Sequence, residues 1–334
     1  MRYLTRILFF AALSTQATAQ APIRLRLGTL APQGSSYHRI LQEMGEKWRT
    51  ATNGQVQLTI YAGTMGSELE LLRRMRAGQL QAAAVTTTGI VSVDPGAAAL
   101  QSMPMMFRTL DELDYVKAKV TPTLDKRLED KGFKVLFWAD AGWVHYFSRE
   151  KVERPADFKK LKIFVTAGET EQFDLMKSAG YNPVALEWAS VLTSLQTKMI
   201  DAMPIIPYYA LATQVYTVAS YMLDVNWLPL VGALIINKKT WDAMSPATQA
   251  AMTAASVEAS KQFQARGRQE SDESVAAMQK RGLTVVKLPP AVQAEWRTTG
   301  EQLNPKVRGT VVPADMFDEV VRLLAEYRSR PAKP

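Results

Sequence analysis

Between Ile23 and Leu186 the apolar residues switch repeatedly from every second position to every third and fourth. That alternation of strand and helix periods restricts the chain to folds in which helices wind about a largely parallel sheet. Ile23 to Leu27 alternates as a strand, and Ser35 then opens a helix with Tyr37, Ile40, Leu41, Met44 and Trp48 on one stripe. Val56, Leu58 and Ile60 alternate again. After the turn Gly63-Thr64-Met65-Gly66, Ser67 caps a helix carrying Leu69, Leu72 and Met75 that stops at Gly78. Ala82 to Thr86 is the next strand. Ligands of such sheets sit beyond the carboxyl ends of the strands, so the hydroxyls of Thr87 and Thr88 are candidate pocket groups. Their structural alternative is to cap the strand end.

A second series of the same kind follows. A helix is expected over Asp111 to Leu128, then two β-rich runs, Phe133 to Trp138 and Trp143 to Phe147, separated by Gly142 as a first crossing point. Leu161 to Val165, a helix from about Glu169 to Ser178, Val184 to Leu186 and a helix from Glu187 to Thr197 repeat the βα pattern. Pro204 and Pro207 interrupt what comes next, and Pro229 to Ile236 reads as a buried strand. From Pro246 to about Lys280 the chain is Ala-rich and free of breakers except Gly267, far beyond the ~11 to 12 residues of an average helix. Such a helix can brace two lobes. A last helix is expected over Pro313 to Arg328, with Val320, Val321, Leu324 and Tyr327 available for packing or for a partner. The fold expected is α/β, two βα lobes joined by hinge strands and a long bracing helix. Lobe I is placed at 20–142 with about 232–265, and lobe II at 143–231 with about 266–334.

The N-terminus indicates where the protein works. Arg2 and Arg6 precede the apolar run Ile7 to Leu13, and Ala17-Thr18-Ala19 supplies the small residues of a signal-peptidase site, so residues 1–19 are expected to be removed after Ala19 on export to the periplasm. The run is shorter than the roughly 20 residues a membrane span takes. The chain has no Cys, which excludes disulfides, thiolate chemistry and a lipidated N-terminal Cys. Stability must then come from the core, for which a 47% hydrophobic composition suffices. The net charge of +8 is spread among acidic residues and forms no basic stripe for nucleic acid.

Signatures of catalysis are missing. There is no HExxH, GxSxG, GxxxxGKS or GxGxxG arrangement, and the two histidines, His38 and His145, lie far apart. His38 is either a ligand contact or a first-turn residue, and His145 is expected as a hydrogen-bonded interior group. Asp140 with Glu169 or Glu187 would be the carboxyl pair of a glycoside hydrolase, the least favoured reading. No catalytic residue, metal site or cofactor is expected.

The ordered set Gly66-Ser67-Glu68, Arg76-Ala77-Gly78, Met103-Pro104-Met105-Met106-Phe107-Arg108, Leu161-Lys162-Ile163, Leu195-Gln196-Thr197 with Asp201, and Asn237 with Trp241 resembles the DctP-type solute-binding proteins of tripartite ATP-independent periplasmic (TRAP) transporters. The resemblance covers nearly all of the chain after the leader. It implies a bilobed periplasmic-binding-protein-like fold closing over one small-molecule ligand, and a TRAP permease driven by an ion gradient as membrane partner. It also implies polar anchors that this sequence lacks. Acid-binding members carry on the Leu161 to Val165 strand an Arg that clamps a carboxylate through two parallel bonds; here the residue is Phe164. An Arg two residues past the Gly resembling Gly142 is replaced by Val144, and an Asn past Asp201 falls in Met203-Pro204-Ile205-Ile206-Pro207. A carboxylate shut into such a cleft loses hydration without a partner, a penalty on the order of several kcal/mol.

Aromatic side chains are expected to fill the cleft instead. Trp138, Trp143, Phe164, Trp188, Tyr208 and Trp227 fall at strand ends or in loops facing between the lobes, joined by Tyr37, Ile205 and Ile206. Each large ring removes roughly 150 to 250 Å² from water and Tyr or Trp keeps one polar handle. The ligand expected is therefore apolar or uncharged. The alternative is a periplasmic lipid carrier without transport coupling that serves a partner such as a tetratricopeptide-repeat protein.

Overall fold

The computed structural model describes residues 21–330. The expected leader, and the tail from residue 331, lie outside the described residues. The first βα series appears as β1 (Ile23–Thr29), α1 (Ser36–Ala51), β2 (Val56–Ala62), α2 (Glu68–Arg76), β3 (Ala82–Thr86) and the short α3 (Thr87–Ile90). Ser35 and Ser67 cap α1 and α2 as expected, their hydroxyls accepting from the amides of His38 and Glu70. A long α4 (Leu110–Asp130) then leads into β4 (Phe133–Ser148).

The second series is α5 (Pro155–Phe158), β5 (Lys162–Thr166), α6 (Thr170–Ser178), β6 (Asn182–Leu186), α7 (Val191–Gln196), β7 (Ala202–Ile205), α8 (Pro207–Ala212), β8 (Tyr221–Leu223) and β9 (Leu228–Asn237). The chain ends with α9 (Lys238–Asp242), α10 (Pro246–Gln279), β10 (Thr284–Val286), α11 (Pro290–Val307) and α12 (Ala314–Arg328).

The strands run in the order β2-β1-β3-β9-β4-β7-β5-β6, with β8 and β10 off β4. Within each series the pairs are parallel, β1 with β2 and β3, β5 with β6 and β7. The antiparallel members β4 and β9 stitch the two sets together. The two runs expected around Gly142 are one strand of 16 residues. From Phe133 to Val144 it pairs with β9, and from His145 onward it pairs with β7. A register break between Asp140 and Trp143 marks the crossing, where Gly142 adopts φ +82°, a conformation that favours glycine.

Helix α10 spans 34 residues and touches both lobes. Its Met252, Ala255 and Ala259 pack with Leu25, Leu41 and Trp48 of the first series, and the Trp48 indole donates to the Met252 carbonyl at 3.1 Å. At its other end Met278 packs with Phe147, Phe164 and Leu195. Halfway along, Gly267 lies so close to β4 that a Cβ there would sit 2.8 Å from Ala141 Cα. Beside that contact, buried Asp140 binds Lys117 Nζ at 3.0 Å and Arg268 Nη2 at 2.9 Å.

Two parts differ from the sequence expectation. Helix α11 was not anticipated; it seats Trp296 in the core, with the indole donating to the Glu153 carbonyl at 2.7 Å. Helix α12, expected with the second lobe, instead lies along α4, where Arg328 binds Glu112 at 2.7 Å.

Candidate ligand-binding cleft

The lobes meet face to face at the carboxyl ends of β1, β3, β5 and β7. Tyr209 Oη of α8 donates to the Leu30 carbonyl at 3.1 Å. The Tyr37 ring of α1 meets Tyr208 edge-on, centroids 5.3 Å apart. Leu69 of α2 lies against Gly168, 3.4 Å from where a Cβ would stand. Thr88 of α3 is among the groups that pull down the pKa of Glu169, ahead of α6. Pro207 holds Ile206 extended ahead of α8, and this sharp start delivers Tyr208 and Tyr209 to the opposite lobe.

On one wall Phe164 and Trp188 stand edge to face, centroids 4.9 Å apart. Phe164 is buried among Val191, Leu195, Met203 and Ile205, whereas 43% of Trp188 is exposed. Ile206 is buried beside them in sequence, capping α8. The position for which the family resemblance implies a guanidinium is thus an apolar contact.

Two acids face the cleft that sequence reasoning had not joined. Glu68, buried at the first turn of α2, accepts from the Thr86 amide and hydroxyl, both at 2.7 Å, and from the Gly89 amide at 2.9 Å. Burial raises its pKa above the ordinary carboxyl value, and those three bonds only partly offset the rise. Glu169 heads α6 without capping it. Burial, and after it the charge of Glu68, push its pKa up to about 7 against the pull of the Thr166 and Thr88 hydroxyls. No cation is among the groups acting on either carboxyl.

Lys117 and Arg268 gather at Asp140, where α10 crosses β4. Burial works to raise Asp140, but its bonds to Arg268 and the charges of Lys117 and Arg268 outweigh that and hold it below the ordinary carboxylate range. Arg268 also binds Asp114 at 2.8 Å. Asp140 is therefore committed to two cations and is no acid partner for Glu169, and Glu187 is exposed.

Of the residues singled out in the sequence, Tyr37 and Tyr208 meet across the lobes, whereas Phe164, Trp188, Ile205 and Ile206 belong to the second lobe and Thr88 to α3 of the first. Thr87 is 1% exposed in the same turn, its hydroxyl without a partner. His38 is buried, with Nδ1 accepting from the Gly34 amide at 3.1 Å, and serves the α1 entry. Two assignments are corrected. Trp138 points into the core under α4 and donates to Asp125 at 2.8 Å. Trp227 belongs to an aromatic cluster with Tyr146 and Trp296, centroids 5.5 and 6.0 Å away. Trp143 packs, partly buried, against that same core. His145 is interior, yet its Nδ1 has no partner, and burial lowers its pKa. Among the described residues no group of three acids or histidines could hold a metal, and no helix is long and apolar enough to cross a membrane.

Residues 27–308 match the family described as bacterial extracellular solute-binding protein, family 7. The chain belongs to this family. Its similarity to the 2,3-diketo-L-gulonate-binding periplasmic protein YiaO of Escherichia coli is 27% identity, covering 86% of this chain and 88% of that one. To the C4-dicarboxylate-binding periplasmic protein DctP of Rhodobacter capsulatus it is 23%, covering 88% of each. A TRAP periplasmic solute-binding protein of Haemophilus influenzae with bound L-gulonate superposes with a TM-score of 0.82 at 21% identity, covering 91% of this chain and 99% of that one. One from Shewanella oneidensis with bound succinate gives 0.83 at 17%, covering 91% and 100%. The family-7 fold, bilobed and α/β, is shared with both. As a member of the family this chain is a solute-binding receptor for TRAP transport and not an enzyme, and its relatives are periplasmic.

Proposed function

We propose that this receptor captures a small apolar or uncharged ligand and hands it to a TRAP permease for uptake driven by an ion gradient. The observation that carries the proposal is Phe164, buried against Trp188 at the position where the resemblance implies a carboxylate-clamping Arg. Lys117 and Arg268, the cations closest to the hinge, are matched by Asp114 and Asp140. An acid entering the cleft would meet Glu68 and Glu169, and Arg266, on the α10 turn that reaches Ser36, is already paired with Glu270 at 3.0 Å. Phe164, Trp188, Tyr208, Tyr37 and Thr88 are the contacts proposed.

Capture works by closure about the three crossings β4, β9 and α10, with the lobes divided near residues 142, 231 and 265. A ligand that touches both lobes favours the closed form by its differential affinity, and the permease recognises that shape. Export with removal of residues 1–19 precedes it. Native mass spectrometry after incubation with succinate, L-gulonate and 2-phenylethanol tests the proposal. Retention of the alcohol in preference to both acids is expected; preferential retention of either acid overturns it.

A further inference from the structure

We infer that two tyrosines oppose one another across the cleft: Tyr209 clasps the closed receptor, while the buried hydroxyl of Tyr37 works against closure and keeps the empty receptor near balance. The inference rests on the closure proposed above and concerns what sets its equilibrium before any ligand arrives. The clasp is α8. Pro207 starts that helix sharply, so Tyr208 and Tyr209 leave the second lobe side by side, ring centroids 5.8 Å apart. Tyr209 Oη donates to the Leu30 carbonyl just past β1 at 3.1 Å, a bond made only while the lobes are together. Tyr208 meets the Tyr37 ring edge-on at 5.3 Å, and Phe263 of α10 stacks on the same ring at 5.5 Å. These aromatic contacts favour the closed form as well.

The same closure strands the Tyr37 hydroxyl. Tyr37 is 5% exposed, and its Oη has no hydrogen-bond partner. The cause is local. Oη lies against Gly267 of α10, 3.0 Å from where a Cβ would stand, so it meets helix backbone with no side chain to bond. The acids whose charges act on it are engaged elsewhere. Glu270 accepts from Ser36 Oγ at 2.6 Å and pairs with Arg266 at 3.0 Å, and Asp140 is held by Lys117 and Arg268. When α8 withdraws, water reaches the phenol, so the cost of leaving it unbonded falls on the closed form alone. One hydrogen bond gained at Tyr209 and one lost at Tyr37 are of similar size and opposite sign. A receptor near balance needs little differential affinity to close, which suits a ligand that offers few polar contacts.

Double electron-electron resonance on the full mature receptor tests this opposition without a ligand. The chain has no Cys, so Glu43→Cys on α1 and Asp174→Cys on α6, both at exposed positions, carry one spin label on each lobe. Each tyrosine is then replaced by phenylalanine, which keeps the ring and removes one oxygen. At a single fixed pH, Tyr209→Phe is expected to raise the open-to-closed ratio by about three- to tenfold, and Tyr37→Phe to lower it by about fivefold or more. The double variant should lie between them. Shifts of the same sign, or an unmoved ratio in either single variant, overturn the inference, while two resolved populations leave closure standing. A single population that no variant divides overturns closure too. Urea unfolding supplies a check that needs no labels: Tyr37→Phe relieves a buried unbonded group and should leave the midpoint unchanged or raised. A lowered midpoint would show that the hydroxyl is satisfied in the folded receptor, and it would equally overturn the inference.

Discussion

At the scale of single residues the cleft turns on a few contacts that substitution can address. Phe164→Arg would place a guanidinium where Phe164 now meets Trp188. Affinity for an apolar-bodied ligand should fall by about tenfold or more, and succinate should become a measurable ligand by titration calorimetry. Unchanged affinity for the apolar ligand would remove Phe164 from the site. Gly89→Ala addresses the other wall, because its Cβ would stand 2.9 Å from Glu68 Cβ and 3.0 Å from Glu68 Oε2. The carboxylate must then leave the Gly89 amide, and a loss of about 1 to 3 kcal/mol is expected in urea unfolding; a loss under ~0.5 would show that the turn accommodates the methyl. Strand-end position marked Phe164, Trp188, Tyr208 and Thr88 in the sequence as candidates, and their part in binding is the proposal made above. The same criterion failed for Trp138 and Trp227, because alternation says which side chains share a face without saying whether that face meets the cleft or the core. Glu169 was weighed in the sequence only as a partner of Asp140, and Glu68 only as part of a motif; the fold instead commits Asp140 to Lys117 and Arg268 and bonds Glu68 to Thr86 and Gly89.

At the scale of elements, closure depends on how α10 passes over β4. A glycine inside a helix ordinarily costs about 1 kcal/mol relative to alanine, so Gly267→Ala would stabilise an unencumbered helix. Here the added methyl meets Ala141 Cα at 2.8 Å and Tyr37 Oη at 3.0 Å, and backbone on the β4 side leaves it no room. We expect a net loss of about 1 to 3 kcal/mol in urea unfolding together with weakened ligand binding; a more stable variant would refute this account of the crossing. Asp140→Asn should be more severe, because it strands Lys117 and Arg268 beside a buried neutral group. A loss of roughly 3 to 5 kcal/mol is expected, again read from urea unfolding, and one below ~1 would mean that Asp114 alone suffices. The brace itself was legible from length and composition, and the strands of both series from their period. Helix α11 was hidden by Pro305 within it and by a weak apolar stripe, and tertiary anchoring of Trp296 supplies what its sequence does not. The apolar stripe of α12, with Val320 and Leu324, was legible, but its partner was not: it packs in one core with Val116 and Val120 of α4, pinned by Arg328 on Glu112, a pairing of distant segments that a linear pattern cannot reveal.

At the scale of the whole molecule, the two carboxyls make closure of the empty receptor a function of pH. In the closed form the Glu169 pKa is raised from the ordinary 4.5 to about 7 by burial and then by Glu68, and Glu68 itself moves in the same direction. A raised carboxyl pKa means that the closed state binds the proton more tightly than the open one. Its contribution to closure is therefore fully present below pH 4.5 and is lost as pH rises through 7. Asp140 is held below the ordinary carboxylate range, and the phenols of Tyr37 and Tyr209 are raised by burial and stay neutral, so none of them titrates in this window; His145, whose pKa burial lowers from 6.5, acts in the opposite sense and reduces the difference. Small-angle scattering of the ligand-free receptor should thus show a more open envelope at pH 8 than at pH 5, the difference amounting to about 1 to 3 kcal/mol of closing free energy. Glu169→Gln should flatten that dependence while keeping the receptor closed at both values. An envelope indifferent to pH in the unaltered protein would mean that water reaches the pair in the closed state.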